Sequence, residues 1–582
     1  MNAKEKYQSW INNSYFDQDT KKELLDLSNN EKEITERFCK DLEFGTGGLR
    51  GVLGAGTNRM NQYTVRRATQ GLANLIIKEQ KQKQGVVIAY DSRHMSPEFS
   101  REAALCLMAN GIKTYTFASL RPTPVLSFAV RTLGCIAGIV ITASHNPPEY
   151  NGYKVYWEDG AQITGEKCGK IMEEINALSD WNQVRTMCME EAKRKNLYHV
   201  FDSEIDDRYM EELKRLVLRP DLLQQGAGRL KIVYTPLHGT GSKPVQRILR
   251  ELGFTKVSVV KEQEKPDGDF PTVKSPNPEE KSAFHMALML AKKVDADIVL
   301  ATDPDADRLG AYVKDAGTGE YLSLTGNMAG ALILHYILSQ KKDKNLLPSN
   351  GAVVSTIVSG KMAKKIAESF GMAYIETLTG FKYIGEQIHH FEVTHDHEYI
   401  FGFEESYGCL PGTYVRDKDA VAAAMCLCET AVWCAHQHIT LYDYLQELYK
   451  KYGYYREWLL TISLKGIDGS ERIQKIMKTI RRQPPTDLGG YRVMRFRDYE
   501  KRVQTDFITG KEELTSLPQS NVLYFELERE AWCCFRPSGT EPKLKIYFGI
   551  KGKTEKDAEI QLTTLKDAVK NFINSTEEKN ER

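Results

Sequence analysis

With 582 residues, a formal net charge of +1 and 27% charged residues, the chain has an ordinary globular composition and is too long for one hydrophobic core. A nearly neutral chain has no overall field that favours nucleic acid or an acidic membrane surface, so we expect neither as a partner. At roughly 150 residues per domain, about four domains are expected. Small anionic ligands stay compatible with this charge, because a local basic pocket leaves little trace in the total.

The amino-terminal stretch MNAKEKYQSWINNSYFDQD has no apolar segment, so we expect no signal peptide. The most apolar long stretch, 420–435, is interrupted by Glu429 and is too short to span a bilayer, which predicts a buried helix. The 11 cysteines are scattered and none forms a C-x-x-C pair, so zinc and dithiol redox sites are not expected. This cysteine usage favours a reducing, cytoplasmic location.

Three successive parts of the chain repeat the order strand, helix, strand, helix, strand. The first strands are GVVIAYDSRH (85–94), LKIVYTPLHGTG (230–241) and GAVVSTIVSG (351–360). A glycine opens each second strand, at Gly111, Gly253 and Gly371. The third strands are GIVITASHNP, ADIVLATDPDADR and EYIFGFEESYG. The repeat predicts an α/β fold of three similar domains with mixed, largely parallel sheets.

The last part of the chain, from about residue 455, mixes strands with a charged C-terminal helix, which predicts an α+β domain. We therefore expect four domains. They span residues 1–205, 206–325, 326–455 and 456–582. In open α/β sheets ligands bind beyond the carboxyl ends of the strands, so the polar loops after the third strands are the first candidates for a functional site.

In chain order, the first candidate loop is FGTGGLRGVLG, residues 44–54. It lacks the GK[ST] ending of a P-loop and the G-x-G-x-x-G spacing of a dinucleotide turn. A flexible turn is therefore expected, with Arg50 able to reach a phosphate.

The second loop belongs to GIVITASHNPPEYNGYK, residues 138–154, where an apolar strand leads directly into Ser144. An ordinary polar strand end is one interpretation. A hydrolase triad is not indicated, because no G-x-S-x-G elbow surrounds the serine. A serine beside a metal ion could instead carry a phosphoryl group, and Lys154 could move a proton or steady charge.

The third loop, DPDADR, places Asp303, Asp305 and Asp307 at alternate positions after the apolar run ADIVLAT. In an extended segment these side chains point the same way, and a bound cation would relieve their repulsion. Carboxylate oxygens suit Mg²⁺, whereas a solvated acidic turn is the alternative. The DxDxT phosphatase motif is disfavoured, because no threonine stands two residues after Asp303 or Asp305.

The fourth loop is GFEESYG, residues 402–408, in which Glu404, Glu405 and Ser406 follow a strand. Such groups commonly hold sugar hydroxyls, and a structural acidic loop is equally compatible with them. Downstream, VRDKD adds a charged cluster that includes Lys418; by itself such a cluster is typical of a solvated face.

The fifth loop is RPSGTEPK, residues 536–543. Arg536 offers a planar fork for phosphate oxygens. Ser538 and Thr540 supply hydroxyls, and Gly539 lets backbone N–H groups approach an anion. A plain turn is the alternative, since proline, serine and glycine favour turns.

In this order the five loops resemble those of the α-D-phosphohexomutase superfamily, the phosphoglucomutase and phosphomannomutase enzymes. The resemblance covers nearly the whole chain, from FGTGGLR through TASHNP, DPDADR and GFEES to RPSGTEP. TASHNP together with D-x-D-x-D-R is a highly specific pair. The resemblance implies four domains around a central cleft, the first three with one topology. NGYKVYWEDGAQI and GFEES are most similar to the branch with phosphoglucomutase 2-type proteins and bacterial phosphoglucomutases of similar length.

The resemblance also implies roles for individual residues. Ser144 is implied as the phosphoserine, and together with Asp303, Asp305 and Asp307 it would hold Mg²⁺. The implied basic residues of the active site are Arg50, His145, Lys154 and Lys418. The implied substrate-binding residues are Arg308 near the phosphoryl group, Glu404 and Ser406 on sugar hydroxyls, Thr379 and Gly380 in a sugar-discriminating loop (TGFKYIG, 379–385), and Arg536, Ser538, Gly539 and Thr540 on the non-reacting phosphate.

The implied reaction is the reversible conversion of glucose 1-phosphate to glucose 6-phosphate, with glucose 1,6-bisphosphate as intermediate and activator. Mannose phosphate or a pentose phosphate (ribose or deoxyribose 1-phosphate) is the alternative substrate. A non-catalytic sensor of sugar bisphosphate is a further alternative, but it would be expected to lack the serine or an aspartate. We expect a small phosphosugar partner and a monomer or homodimer.

Overall fold

The computed structural model describes residues 2–45, 47–464, 466–538 and 543–581. The chain forms two compact units. The first comprises Met1–Ala329 and Phe381–Thr440, and the second comprises Gly330–Gly380 and Leu441–Arg582.

The α-helices of the described residues are α1 (Ala3–Asn12), α2 (Gln18–Asp26), α3 (Glu31–Phe38), α4 (Gln62–Lys78), α5 (Ser96–Ala109), α6 (Thr123–Leu133), α7 (Gly165–Asn176), α8 (Met189–Arg194), α9 (Glu204–Arg215), α10 (Pro220–Gly226), α11 (Ser242–Glu251), α12 (Lys261–Glu264), α13 (His285–Val294), α14 (Gly326–Asp343), α15 (Met362–Ser369), α16 (Phe381–Thr394), α17 (Ala420–His436), α18 (Leu441–Tyr452), α19 (Gly466–Arg482) and α20 (Glu555–Glu581). Short 3₁₀ helices occur at Gln82–Gln84, Trp181–Gln183, Lys281–Phe284 and Glu528–Glu530. Within the described part of the chain, no helix is long and apolar enough to cross a membrane.

The strands are β1 (Gly48–Val52), β2 (Val86–Tyr90), β3 (Thr114–Phe117), β4 (Ala137–Ile141), β5 (Tyr150–Trp157), β6 (Tyr198–Phe201), β7 (Lys231–Thr235), β8 (Lys256–Val259), β9 (Ile298–Thr302), β10 (Leu309–Lys314), β11 (Tyr321–Leu324), β12 (Gly351–Thr356), β13 (Ala373–Thr377), β14 (Glu398–Glu404), β15 (Gly408–Leu410), β16 (Tyr454–Ser463), β17 (Asp487–Leu488), β18 (Tyr491–Asp498), β19 (Val503–Asp506), β20 (Glu512–Leu514), β21 (Leu523–Leu527), β22 (Trp532–Pro537) and β23 (Lys543–Gly552).

A six-stranded sheet in the first unit has the order β1-β5-β4-β2-β3-β6. Strands β4, β2, β3 and β6 are parallel, whereas β5 runs antiparallel to both β4 and β1. All residues of β4 are buried, as is typical of a parallel strand covered on both faces. Strands β2, β3 and β4 confirm the three strands predicted for this part of the chain.

A second sheet in the first unit has the order β11-β10-β9-β7-β8. Strand β7 is parallel to β8 and β9, whereas β10 is antiparallel to β9 and β11. The fully buried strand β9 ends where the aspartate motif begins, just as β4 ends near Ser144. Both candidate segments therefore lie beyond the carboxyl ends of interior strands, where α/β sheets bind ligands.

The last elements of the first unit are the antiparallel pair β14 and β15, with Glu404 opposite Gly408, and the helix α17. The side chain of Asp419 accepts hydrogen bonds from the N–H groups of Val421 and Ala422 and so caps α17. The helix is buried along almost its whole length. This confirms the predicted buried helix at 420–435.

The glycines predicted to open the second strands each follow a helix. Gly111, Gly253 and Gly371 have φ angles of 74°, 88° and 76°. This left-handed conformation carries no Cβ penalty in glycine and is a common helix stop. It separates α5, α11 and α15 from the strands that come next.

The second unit contains the parallel pair β12 and β13 and a large sheet in the order β16-β23-β22-β21-β18-β19-β20, with β17 paired to β18. The large sheet is antiparallel. Helices α19 and α20 pack on it through residues such as Met477 and Leu565. An antiparallel sheet with helices packed on it confirms the predicted α+β character of this region.

The segment FGTGGLRGVLG corrects one prediction, because Gly48–Val52 is a strand and not a flexible turn. It pairs with β5 from Gly48 opposite Lys154 to Val52 opposite Tyr150. A Cβ at Gly48 would lie 2.2 Å from the carbonyl oxygen of Tyr153, so glycine is needed for the close approach of two backbones. The glycines that suggested a turn reflect this packing.

Candidate active site

The serine of TASHNP lies in a tight turn directly after β4. Ser144 has a φ of 53°, a conformation that costs a non-glycine residue about 1 kcal/mol or more. Its N–H donates to Thr142 Oγ1 at 2.8 Å. Its buried hydroxyl donates to Asp303 Oδ2 at 2.8 Å and lies 3.2 Å from His145 Nδ1. The turn therefore directs the hydroxyl at the aspartate motif.

The aspartate motif after β9 is a turn, which corrects the extended segment expected from the sequence. Ala306 has a φ of 50°. Asp303 Oδ1 accepts hydrogen bonds from the N–H groups of Asp307, at 3.1 Å, and Arg308, at 3.0 Å. The backbone thus folds around the first carboxylate, as aspartate-led turns do, and this turn brings the acidic side chains together.

Asp303, Asp305 and Asp307 form a buried group in which one oxygen of each lies within 4.8 Å of the others. Asp305 Oδ1 and Asp307 Oδ1 are buried with no hydrogen-bond partner among the described residues, which is costly for carboxylates unless a cation joins them. Burial first, and then the neighbouring carboxylates, raise the pKa of Asp303 well above its usual value. Hard oxygen ligands in this arrangement fit a divalent cation, so the three residues could hold a metal ion.

Two lysines face the aspartates, Lys154 partly buried and Lys418 buried. Lys154 Nζ lies 2.8 Å from Asp305 Oδ2 and 3.6 Å from Asp307 Oδ2. Lys418 Nζ lies 3.1 Å from Asp307 Oδ2 and 3.0 Å from Asp417 Oδ1. Burial alone would lower the pKa of both ammonium groups, but the adjacent carboxylates raise it overall. Both lysines are therefore held protonated.

Glu404 and Ser406, at the end of β14, border the same group. Ser406 Oγ donates to Glu404 Oε1 at 2.8 Å, and Lys418 Nζ lies 3.9 Å from that oxygen. Arg308 pairs with Glu279 through its Nη1 atom.

Arg50, on β1, donates from Nη1 to Asn146 Oδ1 at 3.3 Å. The first unit thus collects a large part of the predicted site into one connected set of contacts. Its members are Arg50, Ser144, His145, Lys154, Asp303, Asp305, Asp307, Arg308, Glu404, Ser406 and Lys418.

The other predicted substrate-binding residues belong to the second unit. Thr379 and Gly380 follow β13 and precede α16. Arg536 lies in β22 opposite Lys545 of β23, and Ser538 donates its N–H to the carbonyl oxygen of Lys543. The predicted residues Gly539 and Thr540 lie outside the described residues.

Sequence reasoning missed two residues that contact the aspartates or their lysines. Thr123, at the start of α6, donates from Oγ1 to Asp305 Oδ2 at 3.0 Å and from its N–H to the Asp305 carbonyl at 2.9 Å. Asp417 accepts from Tyr156 OH at 2.6 Å while it pairs with Lys418. Asp417 lies inside the VRDKD cluster, whereas Thr123 follows an unremarkable Arg-Pro pair and carries no local signal.

Sequence reasoning also missed Arg93, which donates to the carbonyl oxygen of Ser144 at 2.6 Å. A signal existed for this residue. The pair Asp91 and Arg93 directly follows the buried strand β2, at the edge of the sheet where Ser144 was sought.

Three family models match successive parts of the chain. Their descriptions are Phosphoglucomutase/phosphomannomutase, alpha/beta/alpha domain I at residues 41–180, domain II at 207–318 and domain III at 325–452. Since these matches cover more than half of the sequence, the chain belongs to the phosphoglucomutase/phosphomannomutase family. This confirms the superfamily inferred from the five loops.

Relatives from bacteria match along most of the chain. A phosphoglucomutase of Staphylococcus haemolyticus is 37% identical over 513 residues, which is 88% of this chain and 91% of the relative. A phosphoglucomutase of Staphylococcus epidermidis is 38% identical over 531 residues, 90% of this chain and 94% of the relative. A third phosphoglucomutase, of Staphylococcus aureus, is 36% identical over 527 residues, 89% of this chain and 91% of the relative.

Solved structures show the same fold at lower identity. The phosphoprotein pp63/parafusin (phosphoglucomutase) of Paramecium, in its open form, has a TM-score of 0.67 and 18% identity, with 92% of this chain and 95% of that chain covered. A phosphoglucomutase/phosphomannomutase family protein of Burkholderia thailandensis has a TM-score of 0.64 and 19% identity, with 90% and 96% covered. The three similar α/β domains and the C-terminal α+β domain expected from the sequence agree with this fold.

Proposed function

We propose that this chain is a phosphoglucomutase that interconverts glucose 1-phosphate and glucose 6-phosphate through a phosphorylated Ser144 and glucose 1,6-bisphosphate. The observation that carries the proposal is the 2.8 Å contact of Ser144 Oγ with Asp303 Oδ2. Asp303 belongs to a buried group of three carboxylates, and Lys154 and Lys418 pair with the other two. The family matches support phosphosugar chemistry, and the three named bacterial relatives support glucose over mannose or a pentose. The intact serine and aspartates disfavour a non-catalytic sensor.

In the proposed reaction, the phosphoryl group leaves Ser144 Oγ for the free hydroxyl of the bound glucose phosphate. The P–Oγ bond breaks, a bond to the sugar oxygen forms, and the hydroxyl proton passes to a base. His145, 3.2 Å from Ser144 Oγ, is the candidate base, because a general base must lie within reach of the group that exchanges the phosphoryl unit. The bisphosphate then turns round and its other phosphoryl group returns to Oγ. The base gives its proton to the sugar oxygen that this second transfer releases.

We assign Mg²⁺ to Asp303, Asp305 and Asp307, with the phosphorylated Ser144 as a further ligand. An ion bound there would neutralise the charge that develops on the transferring phosphoryl group. Lys154 and Lys418 add positive charge from the protein side. Such a site needs positioning and electrostatic stabilisation more than covalent help.

The remaining residues are assigned to substrate binding. Glu404 and Ser406 hold sugar hydroxyls, Arg308 and Arg50 lie near phosphoryl oxygens, and Thr379 and Gly380 help to distinguish sugars. Arg536, Ser538, Gly539 and Thr540 hold the non-reacting phosphate; a bidentate arginine suits this task, because the clamp must accept either phosphate as the sugar binds both ways round.

Further proposals concern organisation and setting. We keep as predictions the domain boundaries after residues 205, 325 and 455 and the central cleft. The oligomeric state, a monomer or a homodimer, also stays a prediction. Cytoplasmic location is supported by the cysteines, which form no disulfide among the described residues, since an oxidising compartment would favour their pairing.

Replacing Arg536 by alanine is expected to raise KM for glucose 1-phosphate by at least about tenfold, because a charged hydrogen-bond donor to phosphate is lost. The thermal midpoint should change little. Steady-state kinetics and thermal unfolding of the same preparation test this. Arg492→Ala, an exposed arginine on β18, is the control and should leave KM unchanged. A collapse of the thermal midpoint in Arg536→Ala with unchanged KM would favour the plain-turn interpretation.

The function itself is tested by coupled assays of the purified chain on the 1-phosphates of glucose, mannose and ribose. Each assay is run with and without glucose 1,6-bisphosphate. We expect kcat/KM for glucose 1-phosphate to exceed the other two by at least about tenfold, and the bisphosphate to shorten the initial lag. A preference for mannose or ribose 1-phosphate would replace the proposed substrate, and inactivity on all three would remove the proposed function.

A further inference from the structure

The turn that carries Ser144 is held from behind by one buried arginine. Arg93, three residues after β2, is almost completely buried. Its Nη2 donates to the carbonyl oxygen of Ser144 at 2.6 Å and also to that of Asn146. Its Nη1 donates to the carbonyl oxygens of Pro147 at 2.8 Å and Tyr150 at 3.1 Å. One guanidinium group thus joins four carbonyls between residues 144 and 150.

Other groups hold Arg93 itself in place. Its Nε lies 3.3 Å from Asp91 Oδ2. Asp91 Oδ1 accepts from the Arg93 N–H at 3.0 Å and from Ser96 Oγ at 2.8 Å. On its other side the guanidinium lies 5.0 Å from the ring centre of Phe270, close enough for a cation–π contact. The buried charge therefore has a carboxylate and an aromatic ring beside it, and its orientation is restricted.

The geometry gives this arrangement a consequence for Ser144. The residue is in a left-handed conformation that a serine does not favour, so its surroundings must maintain it. Without the guanidinium, the carbonyl groups that converge on it would lose the one donor group that they share, and nothing would hold them in this arrangement. A planar fork with several N–H donors can satisfy diverging acceptors at once, whereas an ammonium on a flexible stem cannot hold them in one plane.

We propose that Arg93 is a positioning residue for phosphoryl transfer. By fixing the carbonyls of the turn from Ser144 to Tyr150, it keeps Ser144 Oγ against Asp303, at the distance seen in the structure. Arg93 does not touch the reacting atoms and acts through the backbone of the serine. The inference rests on the proposed function, since it assigns the arginine a part in the same reaction.

The test compares Arg93→Met, which keeps much of the apolar stem, with Arg93→Lys and with a matched control, Arg59→Met. Arg59 is a buried arginine that pairs with Glu33 and Glu36 of α3, away from the serine turn in sequence. For each protein we would measure kcat and KM for glucose 1-phosphate per folded molecule, the thermal midpoint, and hydrogen exchange of the peptide that covers residues 142–150.

We expect Arg93→Met to lower kcat about 100-fold, since small misplacements of a reacting group cost rates of this order, while KM changes by less than about threefold. Exchange of the 142–150 peptide should become faster. For Arg93→Lys, kcat and the exchange rate should lie between those of Arg93→Met and the wild type. Arg59→Met should have the kcat per folded molecule and the exchange rate of the wild type.

The proposal is overturned if Arg93→Met lowers the thermal midpoint but keeps the kcat and the peptide exchange rate of the wild type. Arg93 would then stabilise the fold without positioning Ser144. If Arg93→Met does not fold, Arg93→Lys becomes the test of the proposal. Wild-type kcat and a wild-type exchange rate in Arg93→Lys would mean that the guanidinium group is not needed. Failure of the proposed function is seen separately, as inactivity of the wild type in the coupled assays. Faster exchange of the 142–150 peptide would still report whether Arg93 orders the turn.

Discussion

Replacing Ser144 by alanine is expected to lower kcat for glucose 1-phosphate by at least about 10⁴-fold, as does removal of a nucleophile in other enzymes. The hydroxyl oxygen is the only atom of this side chain that can carry the phosphoryl group. The free energy of unfolding should fall by about 1–3 kcal/mol, because the substitution takes a hydrogen-bond donor from the buried Asp303 carboxylate.

The measurement is the coupled assay, together with mass spectrometry of the peptide that contains residue 144 after incubation with glucose 1,6-bisphosphate. The wild type should gain one phosphoryl group there and Ser144→Ala none. Ser100→Ala, at a buried serine of α5, is the matched control and should behave as the wild type. Wild-type turnover in Ser144→Ala would dismiss the phosphoserine.

Replacing Asp305 by asparagine is the second change with a large expected effect. We expect kcat/KM to fall by about 10²- to 10³-fold, the usual cost of losing one electrostatic contact to a developing charge. The Mg²⁺ concentration for half-maximal activity should rise. The shape of the side chain is kept, but a metal ligand and the ion pair with Lys154 lose their charge.

Two measurements test the second change, a Mg²⁺ titration of activity and calorimetric Mg²⁺ binding without substrate. Asp297→Asn, at an exposed aspartate before the opposite end of β9, is the control and should titrate as the wild type does. If Asp305→Asn kept both the activity curve and the binding heat of the wild type, the aspartates would not hold the metal ion.

The strands that lead to the site were predictable because a buried parallel strand must be apolar on both of its faces. Runs such as ADIVLAT and GIVIT therefore marked the sheet interior, and the polar residues that follow them marked its carboxyl edge. The glycines of residues 44–54 led to the wrong prediction of a flexible turn, because glycine is common both in turns and where two backbones pack closely. Only the pairing of β1 with β5 distinguishes the two.

The sequence by itself determined which residue types end the strands β4, β9 and β14, and their order was enough to recognise the family. Tertiary structure decided how these ends meet. It placed Lys154 against Asp305, 151 residues away, and Thr123 against the same carboxylate, 182 residues away. It also folded the aspartate motif into a turn and placed the Arg93 guanidinium in hydrogen-bond contact with the backbone carbonyls of residues 144–150. The physical reason is that hydrophobic periodicity is a local property of the chain, whereas the ion pairs and hydrogen bonds of buried polar groups depend on which distant segments share the same desolvated space.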